Sequence, residues 1–320
     1  MENDIIPSQP HDAYFKAIFS DPAHARALFQ AHLPREVVAL IDWSTLTPEP
    51  GSFVRHDLRQ SHSDLLFSTT AAGHRALIYL LLEHQTTVDL LMPLRLFGYI
   101  FSITNQYAEQ HGEPLPWVIP FVIHQGPAPW TAPTQFEQLL DGFADAHPLL
   151  PYVPKFSHVL LDLTKLDPAS QERDEVLRVV LYLMKMAREN RLVEFLNWLA
   201  ETLAWEFSRN ILRASLAYAF AVEDDLDQTQ LESIFQKRAD IKEEAMTFAE
   251  KLYAAGVATG EVRGEARGEA RGTLVGAIQV LQDMMGLAPL DPDEVRRLSE
   301  TDLKRRLDSL RSRFDLEHGA

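Results

Sequence analysis

The chain of 320 residues contains 46% hydrophobic and 24% charged residues, a composition typical of folded globular proteins that excludes wholesale disorder. Its formal net charge of −16 at pH 7 makes the average surface repel phosphate, so a nucleic-acid partner has to be bound through local geometry and divalent cations. The chain has no cysteine and no apolar run near the roughly 20 residues of a membrane-spanning helix, which excludes disulfides and predicts a cytoplasmic protein without a membrane partner.

The N-terminal part of the chain predicts two short helices. The apolar side chains within His11–Phe19 recur at helical spacing and indicate one amphipathic helix. Asp21 and Pro22 then form a typical N-cap and first helical position of a second helix. This second helix is expected to stop at Leu33, because Pro34 follows it.

From residue 51 onward the pattern changes to one typical of strands. Short strands are predicted at Ser52–Val54 and Asp64–Phe67. The continuous apolar run Ala76–Leu82 indicates a strand buried on both faces, at the centre of a sheet. Ala71–His74 resembles a hairpin turn, which would make the strands on either side of it antiparallel neighbours.

The following segments predict an α/β (α+β) fold, a mixed sheet with helices packed on it. Residues 89–110 are expected to form a long helix, and further strands are predicted at Trp117–Ile123 and around residue 160. The long helix is expected to pack through the apolar series Leu90, Leu91, Leu94, Phe97, Ile100, Phe101, Ile103 and Tyr107. Beyond Gln171 the chain is predicted to be helical, in the segments Val176–Met186, Leu192–Phe207 and Ile211–Val222.

Residues 260–271 repeat the pattern Gly-Glu-x-Arg three times. On a helix this spacing stacks acids on acids and arginines on arginines, which disfavours a helix that stands alone. A second copy of the chain could relieve this repulsion between like charges by setting its arginines against these acids. The repeat therefore predicts either an arm that forms a homo-oligomer or a flexible charged linker. We therefore expect a core over residues 1–170, a helical region packed on or next to it over 171–255, and a tail over 256–320.

Asp64, Glu83 and Gln85 carry the most informative chemistry. Glu83 and Gln85 lie two residues apart at the end of a strand, so their side chains share one face of the sheet. A carboxylate that ends an apolar run needs solvent, a hydrogen-bond partner or a cation. If Asp64 lies on the adjacent antiparallel strand, two acids converge that suit Mg²⁺ or Mn²⁺, completed by a backbone carbonyl and waters. The alternative is a surface acid at a strand end, with Gln85 capping the next helix.

Several motifs occur in one recognisable order along the chain. They are His11-Asp12-x-x-Phe15-Lys16-x-Ile18-Phe19, Phe29-Gln30-Ala31-His32-Leu33-Pro34, Pro50-Gly51-Ser52-Phe53-Val54, His62-Ser63-Asp64-Leu65-Leu66, Ile78-Tyr79-Leu80-Leu81-Leu82-Glu83-His84-Gln85 and Pro93-Leu94-Arg95-Leu96. In this order they resemble the Rpn family, the recombination-promoting nucleases that are also called YhgA-like putative transposases. The resemblance covers most of residues 10–250.

This resemblance implies a restriction-endonuclease-like core of the PD-(D/E)XK nuclease type, with an α-β-β-β-α-β order of elements. It also implies Mg²⁺-dependent endonucleolytic cleavage of DNA that promotes recombination, so DNA is the expected partner. Asp64 takes the place of the first acid of the motif and Glu83 that of the second, with the backbone carbonyl of His84 as a further metal ligand. Gln85, the third expected catalytic residue, stands where the superfamily motif has lysine; it can orient a water but supplies no positive charge.

Four other residues are weaker candidates for the site. His11 and Asp12 could reach it from the first helix, although Asp12 can equally serve as a charge at the helix N-terminus. His62 and Gln125 could contact phosphate or water, although such residues commonly lie at solvated loops or strand ends. A zinc site is rejected, because no two histidines have the His-x-x-x-His spacing of a helical zinc site.

Two hypotheses from different classes follow. The leading one is a Mg²⁺-dependent DNA endonuclease that acts through Asp64 and Glu83. The alternative is a catalytically weak or inactive DNA-binding or assembly protein that keeps the nuclease fold, which the acidic net charge and the missing lysine favour. A third possibility is strand transfer as well as cleavage, but the sequence contains no Asp-Asp-Glu arrangement that requires it.

Overall fold

The computed structural model describes residues 9–49, 64–83, 87–143, 148–203 and 207–222, together with isolated positions between 233 and 310. The predicted strand at Ser52–Val54 and the repeat at 260–271 lie outside these residues. The chain divides into two compact units, residues 1–249 and 250–320. In the second unit, Ile278 and Leu307 form a small buried apolar cluster. The helices and strands that follow belong to the first unit.

The described chain begins with two helices, as the sequence predicts. α1 spans Pro10–Phe19 and α2 spans Pro22–His32. The carboxylate of Asp21 accepts a hydrogen bond (2.8 Å) from the N–H of the second residue of α2, which satisfies a donor that the helix itself leaves free. α2 ends at the extended Leu33, and the single turn α3 (Arg35–Val38) follows.

Three antiparallel strands form the first part of the sheet: β1 (Ile41–Pro48), β2 (Asp64–Ala71) and β3 (His74–Glu83). The turn between β2 and β3 confirms the predicted hairpin. Ala72 and Gly73 both have positive φ, 49° and 80°, the backbone of the two-residue turns that join twisted strands. β1 is a strand that the sequence analysis did not predict.

The second part of the sheet is parallel. β4 (Trp117–His124) pairs with β3, and β5 (Val159–Asp162) pairs with β4. Because a parallel neighbour cannot be reached through a tight turn, the chain crosses from β3 to β4 through a helix, α4 (Met92–His111). The strand order β1-β2-β3-β4-β5 puts the apolar β3 at the centre, so the predicted mixed sheet and central strand are confirmed.

Apolar clusters cover the sheet on both faces, and β3 contributes to each. Leu80 and Leu82 point into the larger cluster, which contains α1, α2 and the later helices. Tyr79 and Leu81 point into the smaller cluster, which α4 covers. We call these two sides the helical face and the α4 face of the sheet. Their alternation along β3 follows from the two-residue period of a strand.

The later helices are α5 (Pro168–Gln171), α6 (Glu175–Arg188), α7 (Leu192–Thr202) and α8 (Arg209–Val222). α8 packs against α1, where the rings of Tyr14 and Tyr218 stack with centroids 4.4 Å apart and planes 4° from parallel. Among the described residues, every helix is too short or too polar to cross a membrane.

The structure corrects the prediction for α4. The helix begins at Met92 rather than at residue 89, because the Asp89 carboxylate accepts a hydrogen bond (2.9 Å) from the N–H of Leu91 and forms a local turn before the helix. Four members of the predicted apolar series are exposed: Leu90, Leu91, Leu94 and Phe101. The buried stripe consists of Met92, Leu96, Tyr99 and Ile103. Of the four exposed residues, Leu90 and Leu91 precede the helix, and Leu94 and Phe101 do not belong to the buried stripe.

Candidate functional site

Asp64 and Glu83 lie on the α4 face of two neighbouring strands. Asp64 is the first residue of β2 and faces Leu81 across the antiparallel pair. Glu83 is the last residue of β3 and lies two positions beyond Leu81, so the two-residue period puts its side chain on the same face. Diagonal neighbours of this kind are about 7–8 Å apart, within reach of each other's longer side chains.

Asp64 is half-buried, and its carboxyl group is bonded through one oxygen. The Tyr79 hydroxyl donates to Oδ2 (2.6 Å), whereas Oδ1 is buried without a hydrogen-bond partner among the described residues. Burial raises the pKa of Asp64 from 3.8 to about 6. The Tyr79 hydrogen bond and the charges of Arg95 and Lys16 lower this pKa in part, and the charge of Asp12 raises it. A cation would therefore stabilise the ionised form of this acid.

Glu83 is 3% exposed and its charge is balanced by an arginine. Nη2 of Arg95, in the first turn of α4, donates to Oε2 of Glu83 (2.5 Å), and Nη1 donates to Asp89 (3.2 Å). Burial alone would lower the pKa of Arg95, but the charge and hydrogen bond of Glu83 raise it. Arg95 thus connects the start of α4 to the end of β3, where Glu83 lies.

Three buried polar atoms around these acids have no hydrogen-bond partner in the described part of the chain: Oδ1 of Asp64, Nε of Arg95 and the hydroxyl of Tyr99. The Tyr99 ring lies 5.3 Å from that of Tyr79, so this hydroxyl belongs to the same α4 face. Buried polar atoms in folded proteins bond to water or ions where the protein offers no partner. Of these atoms, the carboxylate oxygen of Asp64 is the kind of ligand that Mg²⁺ or Mn²⁺ prefers.

The structure does not bring all predicted site residues together. His84, Gln85 and His62 lie outside the described residues. Asp12 is buried, and its charge raises the pKa of Asp64, as the weakest of the five effects on that group. His11 and Gln125 point elsewhere.

The side chains of His11 and Gln125 lie on the helical face. Nε2 of Gln125 donates to the Met184 carbonyl (2.7 Å) and to the Tyr218 hydroxyl (2.9 Å). Nδ1 of His11 contacts the same hydroxyl (2.6 Å). Since Met184 and Tyr218 belong to the larger apolar cluster, both predicted residues are on the other side of the sheet from the Glu83 carboxylate. The predicted contact of Gln125 with phosphate or water and the predicted reach of His11 to the site stay predictions, and this placement does not favour them.

Arg95 and Tyr79 are the site residues to which sequence reasoning gave no role. Arg95 is a largely buried cation on a helix whose buried side is mostly apolar, and such a residue needs an acidic partner. Tyr79 interrupts the apolar run of β3 with a hydroxyl that also needs a partner. Both residues can be recognised in the sequence as polar groups that need a partner. The sequence does not identify these partners, because they depend on where α4 packs on the sheet.

The fold and the site define an α+β protein whose mixed sheet carries a buried and a half-buried acid at the adjoining ends of neighbouring antiparallel strands. The family model described as "Putative transposase, YhgA-like" matches residues 9–211, and the chain belongs to this family. The resemblance seen in the sequence motifs is therefore confirmed.

Three curated relatives match the chain along most of their own length. The chain is 30% identical over 255 residues to "Recombination-promoting nuclease RpnD" of Escherichia coli O157:H7, covering 77% of this chain and 95% of the relative. It is 28% identical to "Recombination-promoting nuclease RpnA" of Escherichia coli strain K12, covering 78% and 85%. It is also 27% identical to "Inactive recombination-promoting nuclease-like protein RpnE" of the same strain, covering 79% and 84%. No solved structure shows a significant match to the chain.

Proposed function

We propose that this chain is a DNA endonuclease that depends on Mg²⁺ or Mn²⁺, hydrolyses phosphodiester bonds and promotes DNA recombination. The observation that carries the proposal is the pair Asp64 and Glu83 on one face of adjacent strands, with one oxygen of Asp64 buried and unbonded in the described part of the chain. Family membership and the names of the relatives support the nuclease activity. The metal is inferred from the chemistry of the site, and the DNA substrate is inferred from the resemblance to the recombination-promoting nucleases.

Asp64 and Glu83 would hold the cation, together with the main-chain carbonyl of His84. The described residues contain no cluster of three or more histidines and acids that could hold a metal ion. The site therefore supplies two carboxylates, and carbonyl and water oxygens would complete the shell, as is common for Mg²⁺. When bound, the cation polarises the phosphodiester and lowers the pKa of a bound water.

The surrounding residues prepare the two acids for this role. Tyr79 holds the Asp64 carboxyl through Oδ2 and leaves Oδ1 for another partner. Arg95 pairs with Glu83 and balances its charge within a buried setting. In the hydrolysis, the oxygen of a water bonds to phosphorus, the bond from phosphorus to the deoxyribose oxygen breaks, one water proton passes to that leaving oxygen, and a phosphate monoester remains. Gln85 is proposed to orient the water.

The direct test is cleavage of supercoiled plasmid DNA by the purified protein with Mg²⁺, with Mn²⁺ and with a chelator. Asp64→Asn and Glu83→Gln remove one charge each with little change in shape, and each is expected to lower the cleavage rate at least about 100-fold. Asp42→Asn is the matched control, because Asp42 is an exposed acid on the edge strand β1 of the same sheet. It should cleave like the wild type.

Two results would contradict the proposal. Equal nicking by the wild type, Asp64→Asn and Glu83→Gln would assign the activity to a contaminant. Full activity in the presence of excess chelator would remove the metal from the reaction.

The second candidate function is a non-catalytic DNA-binding or assembly protein on the same fold. Glutamine at position 85, the net charge of −16 and the relative named as inactive favour it. A titration with Mn²⁺ alone separates the two, because the proposed enzyme should bind the ion and lose this binding in Asp64→Asn. A wild-type protein that binds DNA but gives no Mn²⁺ signal would be such a scaffold.

The homo-oligomer proposed through the C-terminal region is a separate matter. The Gly-Glu-x-Arg repeat on which it depends lies outside the described residues. It stays a prediction, tested by the solution mass of the full chain against a variant that lacks residues 256–275. An unchanged oligomeric number would contradict it.

A further inference from the structure

A buried chain of hydrogen bonds connects α8 to the end of β3. Nε2 of Gln125 donates to the Tyr218 hydroxyl (2.9 Å) and to the Met184 carbonyl (2.7 Å). The main-chain N–H of Gln125 donates to the main-chain carbonyl of Glu83 (2.8 Å). The same residue thus contacts two helices through its side chain and the candidate metal ligand through its backbone.

The main-chain hydrogen bond from Gln125 to Glu83 lies where the pairing of β3 and β4 ends. Glu83 and His124 are the last paired residues of β3 and β4, and Gln125 follows directly. Within the described residues, the main-chain N–H of Gln125 therefore forms the last hydrogen bond between β3 and β4. It bonds to Glu83, whose side chain the proposed site requires. In the described part of the chain, β2 pairs with β3 as far as Asp64 opposite Leu81, and β4 pairs with β3 as far as Glu83.

The Tyr218 hydroxyl is well suited to hold Gln125. Tyr218 is 3% exposed and Gln125 is 1% exposed, so neither polar group is freely solvated. Burial raises the pKa of Tyr218, which keeps its hydroxyl protonated. Because an amide NH₂ group only donates, the hydroxyl accepts from Gln125, and its own proton is then available to Nδ1 of His11, 2.6 Å away. The Tyr218 hydroxyl thus accepts one hydrogen bond and can donate another.

We propose that Tyr218 is a positioning residue for the metal site, acting through Gln125 on the backbone of Glu83 from the opposite side of the sheet. This inference depends on the proposed function, since it assigns Tyr218 a role in the same reaction. Partners outside the ligand shell commonly change metal affinity or activity by about 10–100-fold, because they fix the orientation of the ligands.

Tyr14 provides a closely matched control. Its ring stacks on that of Tyr218, it is also 3% exposed, and its hydroxyl bonds to Ser215 (2.8 Å). The Tyr14 hydroxyl therefore joins α1 to α8, whereas the Tyr218 hydroxyl also joins α8 to the sheet. Tyr14→Phe and Tyr218→Phe each remove one buried hydroxyl from the same contact, and a merely structural role would give both the same effect.

The experiment measures Mn²⁺ affinity and plasmid cleavage of the full chain for the wild type and both variants. We expect Tyr218→Phe to weaken Mn²⁺ binding and lower kcat about tenfold, with KM for DNA little changed, while Tyr14→Phe stays within about twofold of the wild type. Gln125→Met should reproduce the effect of Tyr218→Phe. Equal Mn²⁺ affinity and kcat in the two tyrosine variants of an active protein would overturn the inference.

A second measurement separates this inference from the proposed function. Hydrogen exchange of the Gln125 main-chain amide reports its bond to Glu83 without any metal or DNA, and Tyr218→Phe should accelerate it about tenfold relative to Tyr14→Phe. One outcome is that the wild type neither cleaves DNA nor binds Mn²⁺ while Tyr218→Phe still accelerates the exchange of the Gln125 amide. In that case the proposed function fails, and the positioning of β3 by Tyr218 stands. Equal exchange in the two variants would overturn the positioning itself.

Discussion

Arg95 and Glu83 form an ion pair (2.5 Å) between the first turn of α4 and the last residue of β3. Their side chains are 18% and 3% exposed, so the pair is largely removed from water. A buried pair of this kind contributes little net stability as a whole, because desolvation offsets the attraction, but the loss of one partner is strongly unfavourable. Arg95 therefore stabilises an acid that the chain could otherwise bury only at high cost.

Arg95→Met is expected to destabilise the metal-free protein by about 3 kcal/mol, because it leaves the Glu83 charge buried without its arginine. A cation at the proposed site would take over part of this compensation. Mn²⁺ should therefore raise the melting temperature of the variant more than that of the wild type. The measurement is thermal unfolding of both proteins with and without Mn²⁺.

Arg75→Met is the control for this prediction. Arg75 also bonds a glutamate on the same sheet, Glu49 (2.7 Å), but its side chain is 47% exposed. Exposed pairs contribute about 0–1 kcal/mol, so the stability of Arg75→Met should change little and should show no additional response to Mn²⁺. Similar losses in the two variants would contradict the special role of Arg95.

Asp64→Asn is expected to stabilise the metal-free protein at neutral pH. Burial raises the pKa of Asp64 from 3.8 to about 6, so the ionised form is disfavoured by the fold. The wild type therefore loses stability as the pH rises from about 4 to about 6, and the asparagine variant does not. The difference in unfolding free energy should approach about 2–3 kcal/mol at pH 8 and vanish near pH 4.

The check on this prediction is urea unfolding at both pH values in the presence of a chelator. Asp42→Asn should behave in the opposite sense, because hydrogen bonds from the side chain and backbone of Ser44 lower the pKa of Asp42. Its ionised form is favoured by the fold, so removing that charge lowers stability at neutral pH. An Asp64→Asn variant that is less stable than the wild type at pH 8 would rule out a strained acid at this position.

Tyr79→Phe is expected to weaken metal binding most at low pH. The hydrogen bond from Tyr79 lowers the pKa of Asp64, so its loss raises that pKa further and leaves less of the ionised acid near pH 6. Mn²⁺ affinity should fall about tenfold at pH 6 and less at pH 8. Tyr14→Phe is the control, because it removes a buried hydroxyl on the helical face of the sheet, where its partner is Ser215 (2.8 Å). Equal affinities for the two variants at pH 6 would contradict the role of Tyr79.

The pairing that brings Asp64 and Glu83 to one face was predictable from local signals. The turn residues Ala72 and Gly73 and the apolar run of β3 define the hairpin, and the two-residue period then sets the faces. β1 escaped prediction because its register against β2 shifts between Asp42 and Thr47, which breaks the alternation that a sequence pattern can show.

The other parts of the site depend on tertiary placement. Arg95 meets Glu83 because α4 lies across the sheet at that point, which no local pattern contains. Gln125 follows His124, the register partner of Glu83, and one further residue along an extended chain turns the side chain to the other face. The sequence identified Gln125 as polar and close to the site, but without the register of β4 it could not assign the face.

His158 should make the fold sensitive to acid. It is 5% exposed, packs edge-on to Trp130, and neither ring nitrogen has a hydrogen-bond partner among the described residues. Burial lowers its pKa from 6.5 to about 4, so the neutral ring is favoured in the folded state. Stability that depends on this neutral ring is present above pH 6.5 and is lost as the pH falls toward 4.

His158→Phe keeps a planar ring at this position and removes the titration. Relative to the variant, the wild type should lose up to about 3 kcal/mol of unfolding free energy between pH 7 and pH 4. Chemical unfolding of both proteins across this range measures the difference. If the two curves run parallel with pH, the imidazole is solvated well enough to accept a proton in the folded protein, and the acid sensitivity has to come from other groups.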